Sequence, residues 1–248
     1  MRVVGVSRRF PGVEALRGIS LEVKPGELVA VVGASGCGKT TLLRIIGGLD
    51  RADEGRVEFV DAGGAAISPG RFDLGFGFQE SRLLPWRCAR DNTALPLELA
   101  GVPRAERRRR AEQTLSLVRL ADRTRSLPAE LSGGMRMRVA LARALVTKPR
   151  VLLLDEPFSS LDEVTRLELD EELLELRRAT GATTLLVTHA ISEAVLLADR
   201  IVVLGTRPGR VREVITVDLP ERGLDRRASA GLAPLVSKIL DLISERAA

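Results

Sequence analysis

The chain has 248 residues, 45% of them hydrophobic and 29% charged, and a formal net charge of +5. That is room for one large α/β domain, or one domain with a small inserted subdomain. No run approaches the ~18 uninterrupted apolar residues of a membrane span, two cysteines give no disulfide framework, and a single histidine excludes a histidine-based zinc site.

The N-terminus, MRVVGVSRRF, lacks the apolar core of a signal peptide and runs straight into strand-like sequence. A cytosolic chain is therefore expected, with any membrane role exerted through a partner. Val3-Val4 and Ile19 to Val23 alternate as strands do, and Pro25-Gly26 predicts a turn. Leu28 to Val32, short, apolar and β-branched, predicts a buried parallel strand. A glycine-rich loop leads into a helix expected over Thr40 to Leu49, ended by Gly47-Gly48. Short β segments (Arg56 to Val60, Leu74 to Phe78) flank a Gly/Ala/Pro-rich loop.

After Leu84-Pro85-Trp86 the pattern turns helical from about Asp91 to Val146, punctuated by Pro96, Pro103 and Pro128. Val151 to Leu154 and Thr183 to Val187 predict two more buried strands, and Leu167 to Arg178 an amphipathic helix between them. A short helix (Ser192 to Leu197), strands at Ile201 to Leu204 and Val211 to Val217 around Pro208-Gly209, and a last helix (Leu232 to Glu245) follow. Strands alternating with helices imply a parallel, doubly wound sheet, with the helical stretch as an insertion.

The basic balance does not point to nucleic acid. Lysine supplies only four of the 38 basic residues, and the arginines are spread along the chain. The densest run, Arg107 to Arg110, lies in a helical stretch beside Glu106 and Glu112, as a solvated helix face does, and no aromatic residue interleaves it.

Gly33-Ala34-Ser35-Gly36-Cys37-Gly38-Lys39-Thr40 fits G-x-x-x-x-G-K-[ST] at every position, between an apolar strand and a helix. Glycines let the backbone N–H groups turn inward around a β-phosphate, and the helix points its positive end at the same place. Lys39 would neutralise β- and γ-phosphate oxygens, and the Thr40 hydroxyl would ligate Mg²⁺. Val151 to Leu154 ends in Asp155-Glu156, two acids at the carboxyl end of a strand, where α/β sheets bind ligands. Asp155 would hold Mg²⁺ through its water, and Glu156 could polarise an attacking water. Ser132-Gly133-Gly134 precedes a long helical run. It reads either as an N-cap with an easy turn or as a second anion-binding helix start.

The pentapeptide Leu131 to Met135, after a phosphate loop and before a D-E pair, resembles the ATP-binding cassette (ABC) ATPases. The resemblance covers nearly the whole chain. It implies an α/β P-loop NTPase with a parallel core sheet, an N-terminal antiparallel β subdomain and an α-helical subdomain inserted at about residues 87–147. It also implies ATP and Mg²⁺ as ligands. Phe10 then takes the place of the aromatic that stacks on adenine, and Thr41 joins the loop's nucleotide contacts. Gln79 matches the glutamine that senses Mg²⁺ and the attacking water. Ser160-Leu161-Asp162 matches the loop that crosses the dimer interface, and His189 the switch histidine at the γ-phosphate. Two copies would sandwich two ATP molecules, each phosphate loop facing the other's Ser132-Gly133-Gly134.

Gln79 to Trp86, Asp155 to Phe158 and Glu193-Ala194-Val195 resemble the importer branch that serves nitrate, sulfonate and taurine. The implied partners are a second copy, integral membrane permease subunits and, indirectly, an extracytoplasmic solute-binding protein. The implied place is the cytoplasmic face of the inner membrane. Trp86 reads either as an exposed anchor for the permease or as a core aromatic. Ala190 stands where the family has aspartate, and Met137 where the branch has glutamine. A soluble ABC protein acting on DNA or ribosomes is the alternative, but such proteins carry coiled-coil insertions, zinc cysteines or a second cassette.

Overall fold

A computed structural model describes residues 1–60, 66–67, 73–219 and 229–244. In chain order the first strands are β1 (Arg2–Phe10), β2 (Val13–Glu22), β3 (Leu28–Gly33), β4 (Glu54–Val60), β5 (Ala66–Ile67) and β6 (Leu74–Gly77). The later strands are β7 (Val151–Asp155), β8 (Thr183–Val187), β9 (Arg200–Leu204) and β10 (Val211–Thr216). The first helices are α1 (Lys39–Ile46), α2 (Ala89–Thr93), α3 (Leu95–Leu99) and α4 (Arg104–Leu117). They are followed by α5 (Gly133–Leu145), α6 (Glu163–Thr180), α7 (Ile191–Leu197) and α8 (Leu232–Ser244). The Gly/Ala/Pro-rich loop read before β6 falls mostly outside the described residues, as does Glu245. The chain divides into two compact units, Met1–Gly70 with Thr183–Ala248, and Arg71–Ala182.

In the first unit β1 pairs antiparallel with β2 on one side and β4 on the other, and β5 extends the sheet beyond β4. Val3 and Val6 of β1 and Leu16, Ile19 and Leu21 of β2 are buried; the pairing register shifts between Val3 and Val6 and again between Val6 and Arg8, which accounts for the three-residue steps Val3 to Val6 and Leu16 to Ile19. β3 is buried along its whole length and lies between β8 and β9, parallel to both. A strand covered on both faces needs an unbroken apolar run, and Leu28 to Val32 is one. β10, beyond the Pro208-Gly209 turn, pairs antiparallel with β9. The short Pro208-Gly209 connection suffices for that pairing, whereas a parallel neighbour would need a crossover.

Helix α1 packs on β3 and β8 and buries Leu42, Leu43, Ile45 and Ile46. Each side chain contributes about 1.5–3 kcal/mol by leaving water. The helix stops at Ile46 because Gly47 and Gly48 carry the chain out, so Leu49 is left exposed. Helix α7 packs on β3, and α8 on α7 and β9.

In the second unit β6 and β7 form a parallel pair, α5 packs on β6, and α2, α4 and α5 pack together. Helix α6 runs longer than its apolar pattern suggests. Asp162 caps its start by accepting the Thr165 N–H at 3.0 Å, and Gly181 at φ 66 closes its end with an N–H to the Arg177 carbonyl at 2.8 Å. Two arginines of the run on α4 pair within their own helix, and Arg107 lies 3.6 Å from Glu98 of α3. Arg109 and Arg110 donate to Glu106 at 2.8 and 2.6 Å and pull that carboxyl down to about 2.

Candidate functional site

The loop leaving β3 is shaped by contacts that only glycine permits. A Cβ at Gly33 would lie 2.8 Å from both the Cys37 sulfur and the Leu204 carbonyl oxygen. At Gly38 (φ +97) it would lie 2.6 Å from the Leu16 side chain. The loop closes on itself through the Cys37 N–H, which donates to the Ala34 carbonyl at 3.2 Å, and it presents Ser35 and Gly36 to solvent. Lys39 is buried, and its Nζ donates to the Gly33 and Ala34 carbonyls at 2.9 and 3.2 Å. A buried ammonium must be satisfied, and these carbonyls hold it inside the loop. Thr40 and Thr41 open α1 behind it. A glycine-shaped loop running into a helix start, with a cation enclosed in it, is suited to cradle an anion.

The first unit brings two more expected residues to the same sheet. The Thr188 N–H donates to the Val31 carbonyl at 3.2 Å, so β8 ends beside β3 and His189 emerges, exposed, at the edge from which the loop departs. Phe10 ends β1 with 40% of its surface exposed and lies against the Arg8 guanidinium, 4.6 Å from the ring centroid. Sequence reasoning missed two arginines. Arg8 is one. The other, Arg207, lays its guanidinium 3.0 Å from where a Cβ on Gly36 would stand. Neither belongs to a motif, and a lone arginine carries no signal until its neighbours are known.

In the second unit β6 and β7 run parallel with Gly77 opposite Leu154, so Gln79 and the Asp155-Glu156 pair leave the same end of adjacent strands. Asp155 is buried, and Gln79 is exposed. Glu156 adopts a left-handed backbone at φ 46, costing on the order of 1–2 kcal/mol for a side chain with a Cβ. The Ser159 N–H and hydroxyl both donate to its carbonyl, at 3.3 and 3.0 Å. Among the described residues no three or more His, Cys, Asp or Glu side chains gather as a protein-only metal site. The hard oxygens of Gln79 and Asp155 suit Mg²⁺, which binds through one or two carboxylates plus phosphate and water.

Ser132 has a local task. It caps α5 by accepting the Met135 N–H at 3.2 Å, while Ser132 and Gly133 stay exposed. Gly134 is buried because α5 starts hard against α6, where a Cβ would meet the Thr165 methyl at 2.7 Å. Asp162 likewise has a local task as the α6 cap, whose N–H donors hold its carboxyl below the usual range.

Trp86 is 73% exposed, so it is not a core aromatic. Its loop is held from behind at several points. Asn92 accepts the Leu84 N–H at 2.7 Å and donates to the Arg87 carbonyl at 2.7 Å. Arg143 of α5 donates to the Ser81 and Arg82 carbonyls at 2.7 and 2.8 Å. A rigid loop presenting one large aromatic is the anatomy of a binding anchor.

A family profile described as ABC transporter matches residues 16–159. The chain is 48% identical to an aliphatic sulfonates import ATP-binding protein, SsuB 2, of Xanthomonas axonopodis pv. citri, over 89% of this chain and 72% of that protein. It is 46% identical to the SsuB protein of Cupriavidus necator, over 100% of this chain and 78% of that one. An uncharacterized ABC transporter ATP-binding protein of Methanocaldococcus jannaschii is 45% identical, over 94% of this chain and 85% of its own length. Among solved structures, the dimeric post-hydrolysis form of the ATP-binding cassette MJ0796, bound to ADP and Pi, superposes with a TM-score of 0.73 at 32% identity. It covers 88% of this chain and 99% of that one.

Proposed function

This chain belongs to the ABC transporter family as an ATP-binding subunit that hydrolyses ATP, and from that premise we propose how its residues do so. The observation that carries the reading is the cradle of Gly33 to Thr40, glycine-shaped and holding the Lys39 ammonium inside it. Its N–H groups and the start of α1 take the β-phosphate, and Lys39 turns from its own carbonyls to the β- and γ-phosphate oxygens. Thr40, Gln79 and Asp155 offer the oxygens for Mg²⁺, which when bound neutralises phosphate charge. Glu156 accepts the proton of the attacking water. His189 contacts the γ-phosphate, and adenine stacks on Phe10. The exposed Ser132-Gly133 start of α5 faces the nucleotide held by a second copy, with Asp162 at the same interface.

Hydrolysis drives an importer of small solutes, and the names of the relatives point to aliphatic sulfonates as the cargo. Among the described residues no helix is long and apolar enough to cross a membrane; translocation is assigned to separate permease subunits. We place the chain against them at the cytoplasmic face of the membrane, with Trp86 as anchor; a solute-binding protein acts on the permease from the other side. Nucleic acid is given no part: in the densest arginine run Arg109 and Arg110 pair with Glu106 of the same helix and Arg107 with Glu98.

The test is growth. A strain lacking the gene should fail on an alkanesulfonate as sole sulfur source and grow normally on sulfate. The intact gene should restore growth, and Lys39→Ala should not. Unimpaired growth of the deletion strain on alkanesulfonate, or rescue by Lys39→Ala, would overturn the reading.

A further inference from the structure

Behind the Phe10 ring stands a cation that cannot wander. Arg8 donates through Nη2 to Asp50 and through Nη1 to Asp53, each at 2.9 Å. The two carboxylates come from separate places, Asp50 after α1 and Asp53 at the entrance to β4. Asp53 is itself pinned. Its other oxygen accepts the Arg9 N–H at 2.6 Å, and its own N–H donates to the Ser7 carbonyl at 2.9 Å. The Arg9 N–H first, and Arg8 with it, hold the Asp53 carboxyl below the usual range. On this frame the half-buried guanidinium lies 4.6 Å from the Phe10 centroid.

An exposed phenylalanine at a strand end samples several rotamers, and a ligand that stacks on it must first order it. A guanidinium clamped by two carboxylates removes that cost before the ligand arrives. It occupies one face of the ring, attracted by the quadrupole, and leaves the other for a planar partner. We infer that Arg8 is a positioning residue for the nucleotide: held by Asp50 and Asp53, it fixes the Phe10 ring as the platform on which the purine base stacks. The inference rests on the reading of Phe10 as the base-stacking residue. It gives the phosphate cradle and the base platform separate supports, so that either can be weakened alone.

Calorimetric affinities for ADP, which has the base, and for inorganic pyrophosphate, which lacks it, test this in the full chain. Arg8→Ala should weaken ADP binding by roughly three- to tenfold and leave pyrophosphate binding unchanged. Phe10→Ala should weaken ADP binding at least as much, and the double variant should be no weaker than Phe10→Ala alone. Arg8→Lys should recover only part of the loss, because an ammonium cannot bridge both carboxylates and stack. Arg8→Met, which keeps the stem and loses the clamp, replaces Arg8→Ala if that variant does not fold. Full additivity of the two substitutions would show that Arg8 does not act through Phe10, and equal loss of pyrophosphate binding would assign its effect to the cradle. Either outcome overturns the inference, as does an unchanged ADP affinity in both Arg8→Ala and Arg8→Met while Phe10→Ala is weakened. If Phe10→Ala itself binds ADP normally, the base-stacking reading falls first and this one with it.

Discussion

Cys37 shows how much a single position in a motif can conceal. The sequence places it inside the phosphate loop, yet its sulfur packs back toward Gly33 and the residue is 1% exposed. Burial pushes its thiol above the ordinary range, with Lys39 pulling the other way more weakly. The raised value means that the neutral thiol persists as pH climbs through the usual thiol range, so the reactive thiolate appears late. Maleimide labelling of Cys37 in the native protein should therefore run about tenfold or more slower than labelling of half-buried Cys88 at pH 7.5. The gap should narrow only at higher pH, and saturating ATP should slow Cys37 further. Equal rates for the two cysteines, read by peptide mass spectrometry, would contradict the burial. The places of Lys39 and Thr40 at the start of α1, and of Asp155, Glu156 and His189 at or just after strand ends, could be read from the apolar runs that precede them. Arg8 and Arg207 could not be read in this way, because each gains its meaning from residues far off in the chain: Asp50 and Asp53 for one, Gly36 for the other.

Helix ends are where pattern and structure diverge most. Hydrophobic periodicity placed the start of α6 near Leu167, but Asp162 caps it and the helix begins at Glu163. The resemblance implies an interface role for Asp162, and one residue can serve both purposes without the sequence saying so. Ala190 is the converse case. It occupies the N-cap of α7 with an extended backbone and no side-chain acceptor, at the position where the family carries aspartate. Ala190→Asp should supply that acceptor and raise stability by about 1 kcal/mol. For a chain of this size that is a rise in Tm of about 2–4 °C. A thermal melt that is unchanged or lower would show that the first turn of α7 is already satisfied by other means. The Trp86 loop was half legible. Its resemblance to the importer branch marked it, whereas the bonds that hold it come from Asn92, 5 and 8 residues along, and from Arg143, 61 and 62 residues away.

At the scale of the molecule, alternation of strands and helices was enough to give the α/β class, and the buried runs of β3, β7 and β8 were each found within a residue. Pairing partners were harder. β1 joins β2 and β4 across different sequence separations, and β10 turns antiparallel through a short connection, neither of which periodicity can reveal. The insertion read at about 87–147 lies inside the unit Arg71–Ala182, which also contains β6, β7 and α6. Helical pattern marks only the helices, while strands join a unit through packing. In the proposed dimer the cradle at Gly33 to Thr40 is half of a site whose other half, Ser132 to Gly134, comes from a second copy. Glu156→Gln keeps the cradle and removes the base, so ATP should bind without being consumed and hold two copies together. Size-exclusion chromatography with light scattering should give twice the chain mass for Glu156→Gln in ATP, and that dimer should be lost on adding Lys39→Ala. A monomer at nucleotide saturation would rule out the shared site.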